Sequence, residues 1–139
     1  MSGLLVIRAG DRVADVASGA MVREAAVSKA ICNARKLWVG YVELPGGSIS
    51  AVHHHGEAES AIYVISGSAR FLCGDALDVE LDAGPGDFVW VPPDVVHVEL
   101  NSSDDEPVRM VVSRSTQETL VFNVDPPPGW TPPGSGSAG

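Results

Sequence analysis

Basic charge is scarce in this chain. Nine Lys and Arg residues stand against 18 Asp and Glu, a formal net charge of −9 over 139 residues. A nucleic-acid partner needs a basic stripe, and none is present. Long apolar runs are also missing. None approaches the ~20 residues needed to span a bilayer, so no membrane association is expected. The opening "MSGLLVIRAGDRVADVASGAM" has one short apolar run followed by charges, unlike a secretory leader. Cysteine occurs twice, at Cys32 and Cys73, and without a secretory signal both read as free thiols of a cytoplasmic protein. Helical periodicity is almost absent: "VSKAICNARK" is the one helix-tolerant stretch and stays unassigned.

What remains is a globular composition rich in strands. Hydrophobic residues make up 45% and charged residues 19%, enough for one domain with a real core. "KLWVGYVELPGG", "AIYVISG", "SARFLCG", "ALDVELDAGPGD", "FVWVPPDVVHVEL", "PVRMVVSRS" and "ETLVFNV" are short β-branched or alternating runs punctuated by Gly and Pro. Strands spaced about ten residues apart in this way predict an all-β sandwich or barrel. "AIYVISG" and "SARFLCG" are expected to pair across the Ser66–Gly67 turn. Residues 1–29 are assigned to an N-terminal arm or edge strand, 30–124 to the barrel and 125–139 to a Pro/Gly-rich tail. The tail cannot pack as an element of its own, although Trp130 could pin it to the barrel wall.

Histidine is rare but concentrated. Of four, three are consecutive, His53, His54 and His55, in a segment that reads as a strand. Side chains alternate along a strand, so His53 and His55 share one face and His54 takes the other, toward solvent. Two imidazoles on one face present metal ligands suited to zinc, copper, iron or nickel. The fourth, His97, lies in "GDFVWVPPDVVHVELN".

These two segments resemble the cupin family. The first motif reads Gly47, "SISAV", His53-His54-His55, "GEA", Glu59, "SAIYVIS", Gly67; the second reads Gly86, "DFVWV", Pro92, "PDVV", His97, "VEL", Asn101. The resemblance implies a single-domain jelly-roll β-barrel with one divalent transition metal (Fe, Zn, Mn or Ni) in its mouth, held by His53, His55 and His97. It also implies a homodimer, in which the apolar "LLVI" could add an edge strand to a neighbour. One departure concerns the carboxylate. Most cupins place their glutamate seven residues before the closing glycine, where this chain has Ser60, with Glu59 one position earlier. Glu59 becomes a fourth ligand if a bulge shifts the register; otherwise the site is one of three histidines.

Other side chains extend the site. Glu99 follows His97 by two and points the same way on a regular strand, making it either a candidate general base or group that orients a ligand, or a strand-end glutamate bridged to a surface lysine. Arg114 shares a face with Met110 and Val112; it could hold a substrate carboxylate through a bidentate fork or be solvated at the rim. Tyr63, Phe71, Phe88 and Trp90 are expected in core and wall. The implied activity is that of a metal-dependent enzyme acting on a small polar metabolite, with mononuclear non-haem iron oxygenase chemistry placed first. A zinc or manganese isomerase or rearrangement enzyme, including one that rearranges amino-acid esters in natural-product pathways, is the alternative. A third reading is a binding module without turnover.

Overall fold

Alternation between buried and exposed side chains organises the computed structural model, which describes residues 3–15, 19–118 and 120–133. Its strands are β1 (Val13–Ala14), β2 (Val22–Val27), β3 (Trp38–Leu44), β4 (His53–His54), β5 (Ser60–Ser66) and β6 (Ala69–Cys73). They continue as β7 (Val79–Ala83), β8 (Phe88–Val91), β9 (Val98–Asn101), β10 (Val108–Arg114) and β11 (Phe122–Asn123). On β3, β5 and β10 every second residue is buried, the signature of a sheet with one face on the core.

Six strands form one antiparallel sheet in the order β1-β2-β3-β10-β5-β8. A second layer contains β7-β6-β9, and the pair β11-β4 is tied to it by a bridge between His53 and His97. The two layers face each other across one core. Trp38, Val42, Val64 and Met110 from the larger sheet meet Ala69, Phe71 and Ala83 from the smaller. Each fully buried Val, Leu or Met here stabilises the fold by about 1.5–3 kcal/mol. The result is an all-β jelly roll.

The expected β5–β6 hairpin does not form. β5 pairs with β10 and β8, whereas β6 pairs with β7 and β9, so the chain changes layer at the turn. Gly67 makes this crossing possible. Its φ is +82°, and a β-carbon there would come within 2.7 Å of the Pro107 carbonyl oxygen.

The ends of the chain contribute more than tethers. β2, within the first 29 residues, lies inside the six-stranded sheet between β1 and β3. Leu4, Leu5 and Val6 are exposed and outside any strand. "VSKAICNARK" yields a single helical turn, α1 (Lys29–Cys32), started by Ser28, whose hydroxyl accepts from the Ile31 amide, and stopped by Asn33 in the left-handed region. Trp130 packs on Val52, Leu72, Leu77, Val98 and Leu100. The last part of the tail, 134–139, lies outside the described residues. Cys32 and Cys73 are free thiols. Among the described residues no helix is long and apolar enough to cross a membrane.

Candidate metal centre

β9 has an inverted alternation. Its apolar residues Val98 and Leu100 point away from the barrel interior into the layer capped by Trp130, while Glu99 and Asn101, like His97 before them, face inward. All four strand residues are therefore buried, because both faces of β9 are covered. Asn101 anchors the following turn: its amide donates to the carbonyls of Leu44 and Glu106, and its carbonyl accepts from Ser103. Ser50 ties the neighbouring segment to Glu99, accepting from the Glu99 amide through its hydroxyl and donating its own amide to the Glu99 carbonyl.

This packing brings three imidazoles together. His53, His55 and His97 are all buried, and one ring nitrogen from each lies within 4.8 Å of the others. Ring centroids are 4.4 Å apart for His53–His97, 4.9 Å for His53–His55 and 5.4 Å for His55–His97. Every Nδ1 is committed to a backbone carbonyl: His53 to Ala51 at 2.8 Å, His55 to Leu120 at 2.7 Å and His97 to Val95 at 2.9 Å. A carbonyl only accepts, so each Nδ1 carries the proton, which makes Nε2 the basic nitrogen of each ring. Such carbonyl contacts fix ring orientation in metal sites.

The electrostatics fit a cation. Burial holds His53 below its ordinary pKa and His55 down to about 4, so both stay neutral at pH 7. Burial also opposes charge on His97, but the approach and charge of Glu99 raise its pKa. Glu99 is wholly buried; desolvation works against its charge, yet His97, then His53 and His55, bring its pKa down to about 2. Its Oε1 lies 3.6 Å from His97 Nε2, an ion-pair separation too long for a hydrogen bond, and both Nε2 and the other carboxylate oxygen lack hydrogen-bond partners. A divalent ion suits this site: three imidazole nitrogens as donors, and a buried carboxylate nearby to offset its charge.

Glu59 is not brought into the group. β5 starts at Ser60 without a bulge there, so Ser60, Ile62 and Val64 face the interior and Glu59 falls on the outer phase. Its carboxylate is exposed and accepts from the Trp90 indole at 2.7 Å. The same phase carries Tyr63, Phe88 and Trp90 to the exposed outer surface; of the four wall aromatics only Phe71 is buried. His54 lies on the face opposite its neighbours, stacked on Phe122 with centroids 5.1 Å apart.

Arg114 is not solvated at the rim. It is 1% exposed, faces inward and stacks over Trp38. Arg23, unnoticed in the sequence, lies over the same ring and interacts electrostatically with His53 and Glu99. Its signal was the alternation of Met21, Arg23 and Ala25, all buried, along the run that enters β2.

No curated protein sequence matches the chain. Solved structures share its fold. An uncharacterized conserved protein with a double-stranded beta-helix domain from Klebsiella pneumoniae is 20% identical with a TM-score of 0.66, over 90% of this chain and 99% of that one. The polyketide cyclase RemF from Streptomyces resistomycificus is 17% identical with a TM-score of 0.72, over 90% and 88%. An oxalate decarboxylase from Bacillus subtilis, described for its Mn(II) centers, is 21% identical with a TM-score of 0.65, over 79% of this chain and 29% of that one. At such identities the likeness carries the fold alone. In sequence, a family model described as a cupin domain matches residues 40–114, a segment that contains His53, His55, His97 and Glu99. The chain belongs to the cupin family.

Proposed function

We propose that this cupin is a metal-dependent enzyme acting on a small polar metabolite, with one divalent transition metal held by His53, His55 and His97. One observation carries the reading: three buried imidazoles converge with every Nδ1 tied to a carbonyl. A metal there would act as a Lewis acid or as a redox centre. The chain itself supplies orientation and exclusion of water. Ala51, Leu120 and Val95 fix the rings, and the cover of Trp130 over Val98 and Leu100 keeps β9 in place behind the site.

Mononuclear iron oxygenase chemistry is one form of this reading. A specific observation supports a second, non-redox form with zinc or manganese: Glu99 is a buried carboxylate beside a ligand imidazole, and its Oε2, which has no hydrogen-bond partner among the described residues, is placed to take a proton and return it during an isomerisation or rearrangement. The fold neighbours, titled as a polyketide cyclase and an oxalate decarboxylase with Mn(II) centers, are compatible with either. The test is elemental analysis of protein purified without a histidine tag, followed by oxygen-uptake measurements with candidate substrates. One equivalent of transition metal per chain is expected. Oxygen uptake selects the first form, and turnover without it selects the second. Protein that takes up no metal overturns both.

A further inference from the structure

The inward face of the larger sheet carries two cations in what is otherwise an apolar core. Arg23 on β2 and Arg114 on β10 are 6% and 1% exposed. Both guanidiniums lie over the ring of Trp38, with their Cζ atoms 4.8 and 4.3 Å from its centroid. Register explains the grouping: Arg114 is directly opposite Trp38, and Arg23 is opposite Val42 on the same strand. Gly40 leaves room for the ring, since a β-carbon there would overlap the Cη2 of Trp38.

The hydrogen-bond accounts of these arginines do not close. Nε of Arg114 donates to the Thr116 carbonyl at 3.2 Å, but its Nη1 and Nη2 are buried without an acceptor among the described residues, as is Nε of Arg23. Buried donors normally find partners, and those that do not mark places where something else completes the set. Neither group escapes by losing its charge. Burial and then the charge of Arg23 lower Arg114 only to about 10, which leaves it ionised at pH 7. The negative groups acting on the pair are Asp15 and Glu99. With a divalent cation on the three imidazoles, its charge and those of Arg23 and Arg114 would outweigh Glu99 and Asp15 and leave the interior net positive, a field that draws anions. Trp38, the ring on which both guanidiniums rest, also lines an open cleft of about 670 Å³ with Asp15, Ser28, Ile31 and Gln117.

We propose that Arg23 and Arg114, held over Trp38, form the subsite for an anionic group of the substrate, and that the substrates are small carboxylates. The Nη1–Nη2 edge of Arg114 matches a planar carboxylate through paired N–H···O bonds, and Nε of Arg23, over the same ring, offers a further donor. The claim rests on reading the three histidines as a metal centre beside which the substrate reacts.

Acetate is the probe, acetamide its neutral counterpart and inorganic phosphate the competing anion. Binding is measured by calorimetry on the full chain, metal-loaded and chelator-treated, alongside metal content. Acetate should bind both forms and acetamide neither. Arg114→Gln and Arg23→Gln should each weaken acetate by about tenfold or more while metal content stays unchanged. Arg114→Lys keeps a cation inside and preserves the fold if the glutamine variant does not; it should still lose affinity, because it lacks the fork. Unchanged acetate affinity in these variants, equal binding of acetamide, or tighter binding of phosphate overturns the subsite. Arginine-dependent acetate binding in a chain that takes no metal would instead retain the subsite and remove the metal-centre reading.

Discussion

Oε1 of Glu99 faces Nε2 of His97 across 3.6 Å in the barrel interior, with both side chains about 95% buried or more and neither atom pair close enough to hydrogen-bond. With Nδ1 of His97 already donating to Val95, a neutral ring would set a lone pair against a carboxylate. Either the imidazole takes a proton or a cation enters. The first predictions follow from that choice.

His97→Ala removes the ligand that joins β9 to the paired histidines. The variant should lose most bound metal while keeping a native circular dichroism spectrum, because His97 is not part of the apolar core of either cluster. Full metal retention in elemental analysis would end the three-histidine assignment.

Glu99→Gln keeps shape and removes the basic carboxylate. Positioned general bases contribute about a hundred- to ten-thousandfold in rate. With a substrate in hand, turnover should fall by that order while metal content and Tm change little. A drop in metal content equal to that of His97→Ala would make Glu99 a ligand instead.

In chelator-treated protein the pH dependence of stability has a definite sign. His55 stays neutral in the fold down to about 4, whereas the unfolded chain takes the proton near 6.5. The unfolded state thus binds more protons below 6.5, and His55 alone costs about 3 kcal/mol as pH falls from 6.5 to 4. Burial shifts His53 the same way. His97, with its raised pKa, opposes them: its contribution is present below 6.5 and is lost as pH rises through its folded value. Glu99 contributes above 4.5 and loses that contribution as pH falls toward about 2. Tm should therefore decline between pH 6.5 and 4, and less steeply in His55→Gln. A flat Tm over that window in the native sequence contradicts neutral burial of the pair.

The sequence disclosed the site in part, and the reasons are physical. His53 and His55 on one face, and His97 after the Pro-Pro turn, were legible because ligand spacing on strands is periodic. Glu59 was ambiguous because register at a strand start depends on one turn, and the turn from His55 to Ala58 closes without a bulge. The β5–β6 hairpin misled because a short Gly turn looks alike whether the chain stays in its sheet or changes layer. Arg23 went unseen since an arginine alternating with alanine resembles a solvated strand. Only the inward ring of Trp38, made possible by Gly40, tells that it is not.

The outer surface carries its own expectation. Tyr63, Ile65, Leu81, Phe88 and Trp90 are exposed apolar side chains on or near the edge strand β8, and Leu4, Leu5 and Val6 are exposed at the other end of the chain. An uncovered edge beside apolar surface favours pairing with a second copy. Light scattering should give a homodimer at micromolar concentration, weakened by Phe88→Glu or Leu5→Glu. A monomer throughout the micromolar range refutes it.

Gly40→Ala tests whether Trp38 is the platform of the interior. A β-carbon at this position would overlap Cη2 of Trp38 and come within 2.8 Å of the Glu24 carbonyl oxygen. The backbone contact cannot rotate away, so the ring must shift. Overpacking of this kind typically costs about 1–3 kcal/mol, and Tm should drop accordingly. The same shift displaces the surface on which Arg23 and Arg114 rest, so acetate affinity should fall as well. Metal content should hold, because Gly40 lies on β3 of the larger sheet and touches none of the three histidines' carbonyl anchors. A variant that keeps its Tm and its acetate affinity would show that the ring has room to spare, and that the arginines are not positioned by it.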